Sequence, residues 1–225
     1  MRALITGGNG FVGHHLAAHL KAQGDEVVAI DMEVDVTDPA AVAQAVTEAA
    51  PEVIYHLAAL SHVGDSWSDP SKVLSVNVIG TANVLAAARQ IDGDPLTIVI
   101  SSAEVYGIVA PSELPLTELS EVRPASPYAA SKAAAEQVAL QATRGFGQRM
   151  IVVRPFNHVG PGQPPVFAVP ALAKRILLGN RDRIKHCWIT YSHLLTPSRL
   201  LVLFCLLQQL VLYLQVGVLH RNHRV

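Results

Sequence analysis

The chain has 225 residues, enough for one domain or one and a half, with half of them apolar and a formal net charge of −1. That balance gives no case for a nucleic acid or an acidic membrane as the main partner. Cys187 and Cys205 stand apart without metal-ligand spacing, which points to a reducing compartment and no disulfide framework. The opening MRALITGGNG is too short in its apolar run and too glycine-rich for a signal peptide, so the expected location is cytoplasmic. RALIT (2–6) reads as a first strand, and VGHHLAAHLKAQG (12–24) has helical spacing and a glycine stop. EVVAID (26–31) is a second strand. DPAAVAQAVTEAAP (38–51) is a helix with Asp38 as N-cap and Pro39 at its first position. EVIYHLAA (52–59) is a third strand, 69–90 a long helix, and LTIVISS (96–102) a strand that ends in two serines. A helix over 126–147 and a strand over 149–156 follow. Strands alternating with helices predict an α/β fold with a doubly wound parallel sheet.

Gly7, Gly10 and Gly13 lie between the first strand and the first helix, where a dinucleotide pyrophosphate rests on helix N–H groups. Asp31 ends the next strand. A carboxylate there accepts from a ribose 2′-hydroxyl and repels a 2′-phosphate, which favours NAD(H) and leaves NADP(H) as the other option. Tyr128 and Lys132 are four apart on one helix face, so an ammonium beside a phenol is expected to lower the tyrosine pKa. No His/Cys/Asp/Glu cluster has metal spacing. His14, His15 and His56 read as packed or solvated histidines, and Asp65 and Trp67 as loop-packing residues, with substrate contact as the alternative.

The ordered pieces TGGNGFVG, DVTD (35–38), HLAA (56–59), NVIGTANVL (77–85), SSAEVYG (101–107), SPYAASK (126–132) and RPFNHVGPGQ (154–163) resemble the extended short-chain dehydrogenase/reductase family, whose members modify nucleotide sugars. The resemblance covers about residues 2–178 and implies a Rossmann-like domain over 1–180. It implies Tyr128 as general acid/base, Lys132 as its partner and ribose anchor, and Ser102 as the hydroxyl that binds the sugar oxygen. It places Gly7, Gly10, Phe11, Val12, Gly13, Asp31, Leu57, Ala58, Ala59 and Pro155 at the cofactor, with Asp35 and Val36 at its adenine. Ser61 and His62 would lie beside the hexose, and Asn157 and His158 near the nicotinamide and the substrate diphosphate. RPFNHVGPGQ is most similar to enzymes acting on GDP-mannose derivatives, so the expected substrate is a GDP-hexose. Glu104 stands where dehydratases carry an extra acid, whereas the compact AIDMEVDVTD (29–38) looks more like the 4-keto reductases. Reduction at C4 is the favoured reading; 4,6-dehydration and 4-epimerisation are the alternatives. The family resemblance also implies a homodimer through the helix bearing Tyr128 and its neighbour over 69–90.

The pattern breaks in two places. AIDMEVDVTD leaves almost no room for the usual extra helix and strand, so the sheet edge is open to question there. Residues 1–180 hold 11 Lys and Arg against 17 Asp and Glu, whereas 181–225 hold 6 against the single Asp182. The segment 200–219 runs 20 residues without a charge, and Arg199, Arg221 and Arg224 flank it. A membrane span, a soluble core helix and out-of-frame translation are the three readings of this atypical tail; the last accounts for the missing acids. The substrate region would then be truncated, and a dinucleotide-binding remnant without turnover is the rival to an enzyme.

Overall fold

The computed structural model describes residues 1–177, which fall into two compact units: Met1–Phe156, and a second that starts at Asn157. The expected boundary near 180 and the apolar segment 200–219 lie outside the described residues. In the first unit five parallel strands form one sheet in the order β2-β1-β3-β4-β5. They are β1 (Arg2–Thr6), β2 (Glu26–Ile30), β3 (Val53–His56), β4 (Leu96–Ile100) and β5 (Met150–Val153). Each strand lies inside a predicted run. They are mostly apolar and four or five residues long, and β1, β3 and β4 are the well-covered ones.

The helices follow from local chemistry. α1 (Phe11–Ala22) joins β1 to β2, and α2 (Pro39–Ala49) joins β2 to β3. Asp38 caps α2 by accepting from the N–H groups of Ala40 and Ala41, with Pro39 at the first helical position, as predicted. After a single helical turn, α3 (Val63–Ser66), the predicted long helix over 69–90 resolves into three pieces. α4 (Pro70–Leu74), a π turn (Ser75–Ile79) and α5 (Gly80–Ala88) run on from one another. The run Pro70–Ala88 is long and apolar enough to cross a membrane by composition. Val84, Leu85, Ala87 and Ala88 are nevertheless buried, so α5 is a core helix here. α6 (Pro127–Phe146) starts at Ser126, whose hydroxyl accepts from Ala129 N–H. It ends at Gly147, whose φ of 73° suits the left-handed terminus of a helix.

Alternation along β1 divides the core. Leu4 faces Val42, Val46, Ile54, Val84, Ala87 and Ala88, where α2 and α5 cover the sheet. Ala3 and Ile5 face Leu20, with Leu16 and Ala17 of α1 packed beside them. Leu85, Val99, Ala139 and Ala142 close the contact of α5 and α6 with β4. In the second unit α7 (Ala168–Leu177) carries a basic last turn, Lys174 and Arg175.

Between Ile30 and Pro39 the chain makes only a loop, so no strand lies beyond β2 among the described residues. β2 is an edge strand, with Val28 38 % exposed. A strand added outside it would restore the order 3-2-1-4-5-6 of dinucleotide-binding sheets.

Position in the sheet sets the energetic weight of each residue. Ile54 is fully buried in the central strand β3, and Ile54→Ala is expected to cost about 2–5 kcal/mol in urea unfolding. Val28→Ala on the open edge should stay within about 0.5 kcal/mol of the parent.

Candidate active site

Parallel pairing places the carboxyl ends of all five strands on one edge: Thr6 beside Ile30 and His56, His56 beside Val99, and Ile100 beside Val153. Strand order reverses between β1 and β3, the switch point at which such sheets bind ligands. The glycine loop leaves β1 there.

Its glycines are required by contact. Gly7 has a φ of 72°, and a Cβ on it would lie 2.8 Å from the Ala58 nitrogen. A Cβ on Gly13 would lie 2.2 Å from the Gly7 carbonyl oxygen, and one on Gly8 would lie 2.7 Å from the Ala29 Cβ. The loop thus folds tightly under the start of α1, and Gly10 N–H donates to the Gly7 carbonyl at 3.1 Å. Gly10 offers no side-chain cap to α1, and the first turn holds no acidic residue. A positive helix end is left there for an anion. Phe11 opens the helix with its ring 5.3 Å from His15, and Val12 is half-buried behind it. Asp31 accepts from Asn9 N–H at 2.8 Å, which fixes its carboxylate beside the loop.

Asp35 turns inward on its own loop, accepting from the N–H and hydroxyl of Thr37, which holds its carboxyl below the usual range. Val36 is 8 % exposed and packs in the core against Val42 and Val84, and a Cβ on Gly80 would lie 2.7 Å from its Cγ2. Its side chain therefore belongs to the core, so what Val36 would offer an adenine is its backbone. Leu57, Ala58 and Ala59 follow β3 half-buried, and Ala58 N–H donates to Thr6 Oγ1 at 3.1 Å.

That bond begins a buried chain beneath the site. Thr6 Oγ1 lies 2.8 Å from His56 Nδ1, and His56 Nε2 lies 3.0 Å from Thr81 Oγ1. The Thr81 hydroxyl donates to the Asn77 carbonyl, so it accepts from Nε2–H, and Nδ1 accepts from Thr6. His56 is a packed histidine, as expected. Asn77, within the π turn, donates to the Leu60 carbonyl and to Ser131 Oγ, and accepts from Leu60 N–H. Ser131 in turn donates to the Tyr128 carbonyl.

Ser102, Tyr128 and Lys132 come together at the carboxyl end of β4. All three are buried, at 9, 8 and 7 % exposure. Burial raises the Tyr128 phenol above its ordinary value, the Ser102 hydroxyl pulls it back by hydrogen bonding, and the Glu104 carboxylate raises it further. Lys132 Nζ donates to the Ile100 carbonyl at 2.7 Å, and burial brings its pKa down to about 8. The expectation that Lys132 lowers the phenol pKa is corrected. The ammonium is spent on a backbone carbonyl, and desolvation sets the phenol upward.

Glu104 is exposed on the turn Ala103–Tyr106, and its own N–H donates to Ser102 Oγ. Pro155 supports the same turn, accepting from Ala103 N–H at 2.9 Å. Ser61 is exposed and His62 half-buried on the loop after β3, and His62 Nδ1 caps α3 by accepting from Asp65 N–H. Trp67 is 63 % exposed, so the reading of it as a loop-packing residue does not hold. Asn157 and His158 open the second unit, where the His158 carbonyl accepts from Gln163.

Sequence reasoning missed one constellation. Glu136, one turn past Lys132, is 2 % exposed and accepts from Ser101 Oγ and from Arg154 Nε and Nη2. Arg154 also donates to the Tyr106 hydroxyl at 3.1 Å. A single acid in the alanine run AAAEQ, four residues after a candidate lysine, was the available signal.

Burial pushes the His56 pKa from 6.5 to about 3, so between those values the unfolded chain binds a proton that the folded chain refuses. Stability is complete above pH 6.5 and falls as pH drops towards about 3. His56→Gln should flatten urea-unfolding stability over that window by about 1.4 kcal/mol per pH unit.

The NAD dependent epimerase/dehydratase family model matches residues 3–198. The GDP-6-deoxy-D-mannose reductase of Pseudomonas aeruginosa is 37% identical over 177 residues, which are 78% of this chain and 58% of the relative. A structure of RMD from Pseudomonas aeruginosa complexed with NADPH superposes with a TM-score of 0.67 at 37% identity, covering 74% of this chain and 57% of that one. The dTDP-glucose 4,6-dehydratase DesIV of Streptomyces venezuelae, with NAD and TYD bound, gives 0.72 at 31% identity over 80% of this chain and 63% of that one. The chain therefore spans less than two thirds of the length of these relatives. With the glycine loop at the sheet's switch point and the family match over most of its length, this chain belongs to the NAD dependent epimerase/dehydratase family.

Proposed function

We propose that the chain is an NAD(P)-dependent oxidoreductase acting at C4 of a nucleotide sugar, reducing a GDP-4-keto-6-deoxy-hexose. The observation that carries this reading is the buried meeting of Ser102, Tyr128 and Lys132 on the same sheet edge as the glycine cradle. The residues fit the cofactor. Side chains at Gly7 or Gly13 would fill the cradle, the first turn of α1 is free of acids, and Asp31 stands beside the loop. Gly7, Gly10, Gly13 and the start of α1 would hold the pyrophosphate, and Asp31 the ribose. Bound there, the nicotinamide supplies the hydride.

Tyr128 supplies the proton. A phenol raised by burial stays protonated at neutral pH, which suits the donor needed when a carbonyl becomes an alcohol. The carbonyl carbon gains the hydride and its oxygen gains the phenolic proton. Ser102 orients that oxygen, and Lys132 holds the strand end that carries Ser102 through the Ile100 carbonyl. The 37% identity to a GDP-6-deoxy-D-mannose reductase supports the choice of substrate. A second reading, 4,6-dehydration, draws on Glu104, whose charge is felt at Tyr128.

Two experiments test this. The purified chain is titrated with NADH and NADPH by nicotinamide fluorescence and then given a GDP-4-keto-6-deoxy-hexose. Oxidation of the cofactor is expected, and Tyr128→Phe should lose at least about a hundredfold in kcat while binding cofactor as before. Cofactor binding without any sugar nucleotide binding would reduce the chain to a dinucleotide-binding remnant, and no cofactor binding would overturn the reading altogether.

NADH is the preferred cofactor by the Asp31 carboxylate, although one relative is complexed with NADPH and another holds NAD. Asp31→Ala should shift the ratio of dissociation constants towards NADPH by about tenfold, and an unchanged ratio would remove Asp31 from the ribose.

A further inference from the structure

We propose that the buried Glu136–Arg154 ion pair is a positioning clamp that holds the end of β4 so that the Ser102 hydroxyl meets the Tyr128 phenol. This rests on the reading of Ser102 and Tyr128 given above.

The segment 100–106 is gripped at successive points by this pair and its neighbours. Lys132 holds the Ile100 carbonyl. Glu136, on the same face of α6 one turn later, holds the Ser101 hydroxyl. Val153 and Pro155, on the β5 side, accept from Ser101 N–H at 2.7 Å and Ala103 N–H at 2.9 Å. Arg154, between those two residues, binds Glu136 through Nε at 2.8 Å and Nη2 at 2.6 Å. Its Nη1 reaches forward to the Tyr106 hydroxyl, and its guanidinium lies 5.1 Å from the centre of the Tyr106 ring. Tyr106 then donates to the Thr117 carbonyl at 3.0 Å. Ser102 and Glu104 are thus flanked on both sides by held residues, and their own side chains stay outside the clamp.

Stability alone does not account for the pair. Removing a carboxylate and a guanidinium from water is costly, and an apolar pair of the same volume does as well or better. What the ionic pair adds is direction: the two-pronged contact fixes Arg154, and through it Tyr106, relative to α6. The helix that carries Tyr128 and the strand end that carries Ser102 are joined by bonds of set geometry. Neither Glu136 nor Arg154 is placed at the reacting atoms, so both are positioning residues.

The test reads the phenol itself. Difluorotyrosine placed at 128 ionises at lower pH than tyrosine, and fluorine NMR follows its ionisation without turnover or cofactor. Glu136→Gln with Arg154→Gln removes the pair without changing net charge, and Ser102→Ala gives the reference effect. The paired variant should raise the ionisation pH by about one unit, as Ser102→Ala does, since a hydrogen bond to the charged form is lost in both. The triple variant should shift no further, because both routes remove one interaction. A paired variant at the parent value beside a shifted Ser102→Ala, or fully additive shifts, would overturn the clamp. An unshifted Ser102→Ala overturns both the clamp and the Ser102–Tyr128 contact beneath it. If the paired variant does not fold, Ser101→Ala cuts only the link from Glu136 to the strand. It should give a smaller shift in the same direction, and no shift counts against the clamp. Failure of sugar turnover leaves this readout untouched, so the two proposals fall separately.

Discussion

The site depends on one constraint, the close approach of α6 to the carboxyl end of β4. Ala129, Ala135, Ala139 and Ala142 are buried along the helix, and Ala139 and Ala142 pack with Leu85 of α5 and Val99 of β4. Once helix and strand are near, residues four apart on one helical face meet consecutive residues of the strand end. Lys132 reaches residue 100 and Glu136 reaches residue 101. Tyr128, a turn earlier, is left beside residue 102. A bulkier residue at Ala135 or Ala139 would lift the helix and break all of these contacts together. The alanine-rich composition of 126–137 is therefore a geometric requirement of the chemistry as much as a helix-forming preference.

Burial acts on Tyr128, Lys132 and His56 in the same chemical sense. It disfavours charge, so the phenol of Tyr128 goes up while Lys132 goes to about 8 and His56 to about 3. The exception is the Glu136–Arg154 pair, whose members answer each other's charge: Glu136 holds the guanidinium protonated well above its ordinary range. The site thus has a neutral floor at His56, a weakly basic amine at Lys132 and one compensated ion pair. A proton donor in such surroundings is protected from competing charges, which agrees with the role proposed for Tyr128.

Much of this was legible in the sequence, because it is written in local chemistry. Asp38 with Pro39 announces a helix start, Gly147 a helix end, and the apolar runs at 2–6 and 96–100 buried strands. The glycine loop was legible for the same reason, since close backbone approach leaves no other residue type at Gly13. Periodicity brought Tyr128 and Lys132 to one face, but it could not say which acceptor the amine would choose. Ile100 is 32 residues away in sequence, and a backbone carbonyl at a strand end carries no signature of its own. The same limit hid the pairing of Glu136 with Arg154, 18 residues apart and on different elements. It also hid the core position of Val36, which follows from Gly80 leaving space for it. The π turn at Ser75–Ile79 has no propensity signal, yet it is where Asn77 turns to bridge the loop after β3 to α6.

The open sheet edge has a consequence for the cofactor cradle. Where a further strand flanks β2, it helps fix the strand end that carries the ribose carboxylate. Here Ile30 is followed by a loop, and among the described residues β2 pairs only with β1. Asp31 is held instead by the glycine loop, through Asn9 N–H, and by Met32 N–H on its own turn. Gly8 N–H donates to the Ile30 carbonyl at 2.9 Å, tying the loop to the same strand end from the other side. The phosphate cradle and the ribose carboxylate therefore form one cross-linked piece of backbone. On the proposed reading, a change in the loop moves both Asp31 and the pyrophosphate cradle, which couples selectivity for the ribose to affinity for the pyrophosphate.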